Sequence, residues 1–278
     1  MDRLNPEAVA HYDEGREHDR LNSPHGRLEF DRSKDIIARN LFNPPAKILD
    51  LGGGTGHYSF WLANHGYEVH LVDAMESHIE TAKKIVQFFS LASISVGDAR
   101  SCKFSDESFD IVLMFGPLYH LTDIRDRQKA LSEAKRVLKP GGRLMAVCIS
   151  KFASLLDGYR SGFIDDEAFR TIVHKDLVDG QHRNPDNHPH YFTTTKFHEP
   201  AEFRLEIEEA GFSDVKLHAI EGFAAYLPDI ETRMSNANKK DSLFHYLRTV
   251  ESEPSLLGAS PHIIAVGRKW NVPREELE

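Results

Sequence analysis

Residues 46–59 read AKILDLGGGTGHYS. Their glycines Gly52, Gly54 and Gly56 fall at every second position directly behind an apolar run that contains Asp50. Glycine has no Cβ, so it takes positive φ and lets a ligand approach the backbone closely, while a helix starting behind it presents free N–H groups. A strand, turn and helix of this build hold a nucleoside-containing ligand. The spacing narrows the choice of ligand. A dinucleotide fingerprint counted from Gly52 requires glycine at position 57, where the chain has His57. No Gly-Lys-Ser/Thr is present, so a nucleoside triphosphate loop is excluded as well. A bare glycine triplet says little, and the argument rests on what stands downstream. Asp73 and Asp98 each close an apolar run, and Tyr119 and His120 follow the run FDIVLMF.

The pattern around these residues predicts the elements that hold them. Lys47 to Leu51 reads as a strand, 57–65 as a helix stopped by Gly66, 67–73 as a second strand, and 75–90 as a helix with Ile79, Ala82, Val86 and Phe89 on one face. Residues 93–98 give a third strand, and 109–115 form an unbroken apolar run suited to a central parallel strand buried on both faces. A helix over 122–138 is expected, with Thr122 as its N-cap and Ile124, Leu131, Ala134 and Leu138 inward. Pro140, Gly141 and Gly142 then turn the chain into a fifth strand at 143–149. The alternation breaks after residue 150, and the His-, Asp-, Asn- and Pro-rich stretch to residue 198 reads as a lid-like insertion. A helix from Pro200 to Gly211, a sixth strand at 215–222 and a seventh at 262–269 follow, leaving 223–258 as a second insertion with a helix around 239–250. The expected organisation is an N-terminal helical segment over 1–45, a ligand-binding core over 46–150, the lid over 151–198, and the rest of the core over 199–278. One catalytic domain with an elaborated rim fits this better than two independent domains.

Composition sets outer limits. The 278 residues, 40% hydrophobic and 28% charged, are ordinary for a globular protein. The formal charge of −9, with no dense Lys/Arg run, disfavours a phosphate-tracking surface, so nucleic acid is a poor default partner. Cys102 and Cys148 form no Cys-x-x-Cys, which indicates neither a disulfide framework nor a zinc knuckle and fits a reducing cytoplasm. The polar N-terminus has no signal-peptide core, and no stretch is long enough to cross a bilayer, so a soluble, uncleaved protein is expected.

The order ILDLGGGTG, VDAM, GDAR, FDIVLMFGPLYHL and LKPGGRL resembles that of the class I S-adenosylmethionine-dependent methyltransferases. The resemblance covers the strands from 46 to 149 and, more loosely, the last helix and strands. It implies a Rossmann-like, seven-stranded, mostly parallel α/β sheet with helices on both faces. The last strand is then antiparallel and inserted between strands five and six. It also implies a cofactor, S-adenosylmethionine, and a set of residues to bind it. Gly52, Gly54, Thr55 and Gly56 form the turn. Asp73 is placed to accept both ribose hydroxyls, a bidentate task that suits a carboxylate. Ala74 and Met75 pack near the adenine. Asp98 accepts from the adenine amino group, with Ala99 or Arg100 supplying a backbone N–H. Asp50 takes the loop N–H groups or the ammonium of the methionine moiety. Phe115 and Gly116 lie where the family places the transferred methyl.

The segment Gly116-Pro117-Leu118-Tyr119-His120 replaces the Asn/Asp-Pro-Pro-aromatic of enzymes that methylate exocyclic base nitrogens, which points toward the small-molecule branch of the family, to bacterial members with Gly-Pro-Leu-Tyr-His-Leu here. The acceptor is then an O, N or S nucleophile of a small molecule. A sulfonium already activates its methyl, so alignment of the acceptor and exclusion of water are the main tasks, and orientation alone supplies ~7–11 kcal/mol. A base is needed only for a protonated acceptor. His120 is the candidate, with Tyr119 beside it, because imidazole titrates near neutrality. Tyr12 and Arg20 of the N-terminal segment, with Arg160, His190 and Tyr191 of the lid, are candidate substrate-binding residues. The lid histidines His174, His182, His188, His190 and His198 have no metal-ligand spacing, and no metal is expected. No membrane association is expected, and the state is monomer or homodimer. Two other functions fit less well: an RNA or tRNA methyltransferase, which needs a basic face, and a non-catalytic S-adenosylmethionine-binding protein.

Overall fold

The computed structural model describes residues 23–85, 90–184, 188 and 191–270. Helix α1 spans Pro24–Arg39 and is followed by β1 (Lys47–Leu51), α2 (His57–Ala63), β2 (Glu68–Asp73), α3 (Glu76–Ile85), β3 (Ser93–Val96) and β4 (Phe109–Met114). Then come a single-turn α4 (Pro117–His120), α5 (Ile124–Val137), β5 (Leu138–Ser150), α6 (Ala153–Ser161), α7 (Glu167–Asp179), β6 (Gln181–His182) and β7 (Thr195–His198). The chain closes with α8 (Pro200–Glu209), β8 (Phe212–Ala219), α9 (Ile230–Ser235), α10 (Ala237–Val250), α11 (Pro254–Leu257) and β9 (His262–Lys269). The strand order is β3-β2-β1-β4-β5-β7-β6, and β9 pairs with both β5 and β8. The α/β class and the antiparallel last strand therefore stand. The strand count does not, since among the described residues the sheet has nine strands rather than seven.

The two extra strands come from the stretch read as a lid. There β7 runs parallel to the end of β5, pairing Ile149 with Phe197, and β6 pairs antiparallel with β7. Thr195 and Phe197 are buried, so even this polar stretch carries an alternation.

The chain divides into two compact units. One comprises residues 40–146, 204–216 and 265–278. Its central strands carry the apolar sequence that both-face burial demands: Ile48, Leu49, Ile111, Val112, Leu113 and Met114 are fully buried. Parallel registers align Asp50 with Leu71 on β2 and with Leu113 on β4. The expected start of strand five moves. Pro140, Gly141 and Gly142 lie inside β5 as an irregularity, where the partner of Phe109 is Leu138 and that of Ile111 is already Arg143. Gly141 takes φ 78°, and a Cβ on Gly142 would meet two carbonyl oxygens at 2.9 and 3.0 Å. The cap of α5 also differs from expectation. Asp123, not Thr122, accepts the Arg125 N–H at 2.8 Å, a carboxylate being favoured at the positive end of the helix dipole. Ile124, expected inward, is exposed at the first position of the helix, whereas Leu131, Ala134 and Leu138 are buried as expected.

The other unit comprises residues 1–39, 147–203 and 217–264. Here α1 falls within the expected N-terminal helical segment and buries Leu28 against Ala224, Ile230, Met234, Leu243, Phe244 and Leu247. The fully buried Arg32 of α1 donates to Glu251 at 2.6 Å and to the Ile220 carbonyl at 3.1 Å, and Arg39 donates to Glu251 at 2.7 and 2.8 Å.

Candidate functional site

Three strand ends meet in the unit built on β1 to β4. The first glycine, Gly52, takes φ 76°, and its N–H donates to the Val72 carbonyl at 2.7 Å, which ties the turn to the end of β2. A Cβ on Gly52 would lie 2.5 Å from Pro117 Cγ, and one on Gly116 would lie 3.2 Å from the Gly52 carbonyl oxygen. The glycine turn is thus packed directly against the segment behind β4. At Gly54, φ 58°, the nearest atom to an added Cβ is His78 Nδ1, 3.9 Å away, so the turn leaves open space on that side. Gly56, φ 90°, starts α2, and Thr55 stands half-buried between them.

Asp73, 7% exposed, closes β2 as expected. Its Oδ2 accepts the Gly54 N–H at 2.8 Å, and its Oδ1 accepts the Met75 N–H at 2.9 Å and lies 3.1 Å from His78 Nδ1. The carboxylate therefore fixes both the glycine turn and the Ala74–Met75 corner. Oδ2 keeps acceptor capacity, whereas Oδ1 must release His78 before it takes a second hydroxyl.

Asp50 is fully buried, and of its two expected partners, the loop N–H groups and the methionine ammonium, the first does not hold it. It accepts from the Ser59 hydroxyl at 2.7 Å rather than from loop N–H groups, and its Oδ1 has no hydrogen-bond partner. Burial pushes its carboxyl up to about 6, the Asp73 charge adds to that, and the Ser59 bonds oppose it. A Cβ on Gly53 would strike Asp50 Cγ at 2.5 Å, so the side chain sits directly beneath the turn.

Asp98 is held by Arg100, whose backbone N–H donates at 2.8 Å and whose guanidinium donates at 2.7 to 3.1 Å. Burial works to raise its carboxyl, but these bonds outweigh it and hold Asp98 below the usual carboxylate range. Arg100 continues to Asp126 at 2.7 Å. Its N–H is thus committed to Asp98, which leaves the Ala99 N–H as the candidate for a ring contact.

Behind β4, Phe115 packs edge-on against Tyr58 at 5.0 Å. Its carbonyl accepts the Tyr119 hydroxyl at 3.1 Å. The His120 ring lies 4.6 Å from that of Tyr119, and both are half-buried. Arg127, which no sequence signal singled out, fixes the next corner. It is buried, donates to the Leu121 and Thr122 carbonyls at 2.9 and 3.1 Å, and pairs with Glu206 at 2.6 Å.

The other candidates fare differently. Tyr12, Arg20 and His190 lie outside the described residues. Tyr191 is a packing residue: its ring joins Phe169 at 4.8 Å and Phe163 at 5.6 Å, and its hydroxyl donates to Asp166 at 2.8 Å. Burial and the Asp166 carboxylate push its phenol up to about 12. Arg160 is held by Asp157 on its own helix.

Among the lid histidines, buried His182 is spent on Asp176 at 2.8 Å and on the Phe192 carbonyl at 3.2 Å. Among the described residues, three potential metal-ligand atoms come within 4.8 Å of one another at Glu29, Glu221 and His262. Glu221 there already accepts from the Ser260 hydroxyl, from the His262 N–H and, at 2.6 Å, from His262 Nδ1. Three protein donors supply that carboxylate's needs without a cation.

Residues 49–146 match the family described as Methyltransferase domain. The Ubiquinone/menaquinone biosynthesis C-methyltransferase UbiE of Cereibacter sphaeroides is 31% identical over 198 residues, 68% of this chain and 74% of its own length. The protein of the same name from Rickettsia felis is 29% identical, over 68% of this chain and 77% of its own. A solved SAM-dependent methyltransferase from Methanosarcina mazei superposes with a TM-score of 0.57 at 22% identity, covering 85% of this chain and 98% of that one.

Proposed function

Because the chain belongs to the class I S-adenosylmethionine-dependent methyltransferases and uses that cofactor, we propose that its acceptor is a small molecule. The observation that carries this reading is the packing of Gly52 on Gly116 and Pro117, which puts the glycine turn beside the Tyr119–His120 turn. The charge of −9 speaks against a nucleic-acid acceptor, and no helix of the described residues is long and apolar enough to cross a membrane. The relatives named as C-methyltransferases add carbon to O, N and S as candidate acceptor atoms.

In the proposed site, the turn at Gly52, Gly54, Thr55 and Gly56 cradles the nucleoside, and the open side of Gly54 admits it without a clash. Asp73 accepts the ribose hydroxyls. Ala74, Met75, Asp98 and Ala99 surround the adenine, and Asp50 sets the charge beneath the turn. Phe115 and Gly116 line the methyl side. The bound cofactor supplies a sulfonium-activated methyl. His120 takes the proton of a protonated acceptor, and Tyr119 fixes its ring. Arg127 holds the carbonyls that follow, so that the turn keeps its shape during turnover. The test is an acceptor panel of phenols, amines, thiols and quinols scored by S-adenosylhomocysteine release, with total tRNA as the competing substrate. Release with a small molecule and none with tRNA is the expected result; the reverse overturns the reading.

A further inference from the structure

Asp73 carries a partner that no ribose brings. Its Oδ1 accepts the Met75 N–H at 2.9 Å and faces His78 Nδ1 at 3.1 Å, and its Oδ2 accepts the Gly54 N–H at 2.8 Å. A carboxylate has no hydrogen to give, so Nδ1 carries the proton and donates it to Oδ1. Each carboxylate oxygen offers two lone pairs, which leaves one on Oδ2 and none on Oδ1. These residues belong to the unit built on β1 to β4, and the contact is local. His78 stands in the first turn of α3, whose opening hydrogen bond runs from the Ile79 N–H to the Met75 carbonyl.

The same nitrogen borders the space that the glycine turn leaves open. His78 Nδ1 is the nearest atom to a Cβ on Gly54, at 3.9 Å, so the imidazole stands at the edge of the place given to the nucleoside. The ring is half-buried, and Glu76, Ser77 and Glu80 beside it on α3 are exposed, so a change of χ1 turns it toward water without moving the backbone. Asp73 does not depend on that ring to keep its place, because the Gly54 and Met75 N–H groups hold one oxygen each. His78 therefore spends a hydrogen bond on the lone pair that a second ribose hydroxyl requires. Such a contact subtracts from affinity, since the hydroxyl replaces a hydrogen bond instead of adding one.

We propose that His78 competes with a ribose hydroxyl of S-adenosylmethionine for Asp73 Oδ1 and so sets how strongly the chain distinguishes an intact ribose, an inference that rests on the ribose role given to Asp73 above. The experiment titrates S-adenosylhomocysteine and its 2′-deoxy and 3′-deoxy analogues calorimetrically into the full chain and into its variants His78→Leu and His78→Asn. Leucine fills the space without a donor, whereas asparagine keeps an N–H at the position of Nδ1. In His78→Leu, S-adenosylhomocysteine binds about tenfold tighter, one hydrogen bond's worth. The analogue that lacks the hydroxyl for Oδ1 binds that variant as it binds the wild type, so the ratio between these two ligands widens about tenfold. His78→Asn returns the wild-type ratio. An unchanged ratio in His78→Leu, weaker binding of S-adenosylhomocysteine to it, or a His78→Asn that follows the leucine variant overturns the proposal. Failure of the ribose role itself gives another pattern, in which Asp73→Asn binds all three ligands as tightly as the wild type does, and that result overturns both.

Discussion

Alanine at Gly52 and alanine at Gly54 make the same covalent change two residues apart, and the structure assigns them different consequences. Both positions are left-handed, at φ 76° and 58°, so each variant carries the cost of a Cβ in that region, ~1–2 kcal/mol. Only at Gly52 does the new atom meet something, Pro117 Cγ at 2.5 Å and Cδ at 2.6 Å. Pro117 opens α4 with a ring locked to its backbone, so relief requires the turn behind β4 to move, and overpacking of this kind costs a further ~1–3 kcal/mol. Gly52→Ala should therefore lose ~2–5 kcal/mol and Gly54→Ala ~1–2 kcal/mol. Urea unfolding at equilibrium measures both, provided the slope with denaturant is unchanged. Pro117→Ala supplies the decisive control. Combined with Gly52→Ala it should recover ~1–2 kcal/mol of the loss, as coupled neighbours do, and combined with Gly54→Ala it should simply add. Equal losses at 52 and 54, or no coupling between 52 and 117, would refute the packing argument.

Three further outcomes follow from the site and its support. Asp50 is held with its carboxyl raised to about 6, so its contribution to stability is greatest below the ordinary carboxyl value and declines as pH rises through about 6. Asp50→Asn should flatten that decline and gain up to ~3 kcal/mol over wild type by pH 8, as read from thermal unfolding across pH. Glu251 behaves oppositely: burial works to raise it, but bonds from His218, Arg39 and Arg32 hold it at about 2. Its contribution is present above the ordinary carboxyl value and is lost as pH falls toward 2, and Glu251→Gln should cost ~1.5–3 kcal/mol at pH 7, because the buried Arg32 and the more exposed Arg39 lose one charged partner and keep Asp35 as the other. His120→Ala should keep S-adenosylhomocysteine affinity and lower turnover with a protonated acceptor; calorimetric loss of cofactor binding would contradict its role.

The glycine turn and the acids at the strand ends were legible because they are local. Gly52 to Gly56, Asp73 and Asp98 each follow an apolar run, and a parallel strand buried on both faces shows as such a run wherever the chain folds. Asp73 at the end of β2 matches the sequence pattern, and the pairing of β9 with β5 and β8 matches what the family resemblance implied. What was not legible depends on residues far apart in the chain. Arg32 and Glu251 are 219 positions apart, and nothing in either local pattern announces a buried pair. Strands β6 and β7 are two and four residues long within a polar stretch, too short for periodicity to register. Tyr191 looked like a pocket wall because an aromatic beside histidines reads the same whether it faces a ligand or Phe163 and Phe169. Asp50 was placed at the right turn, but Ser59 takes the place of the loop N–H groups, because that hydroxyl reaches it only once α2 folds back over the strand.

The central claim is that Asp73 and the glycine turn together hold the nucleoside of S-adenosylmethionine. Asp73→Asn keeps the size of the side chain and replaces one accepting oxygen with a donor that faces a backbone N–H, either that of Gly54 or that of Met75. Loss of hydrogen bonds to a charged group is worth ~1.5–3 kcal/mol, about 10- to 150-fold in affinity. Calorimetric titration of S-adenosylmethionine into wild type and Asp73→Asn tests this directly. One binding site in the wild type, weakened by about that factor in the folded variant, is the expected result; equal affinity in the two proteins would contradict the account.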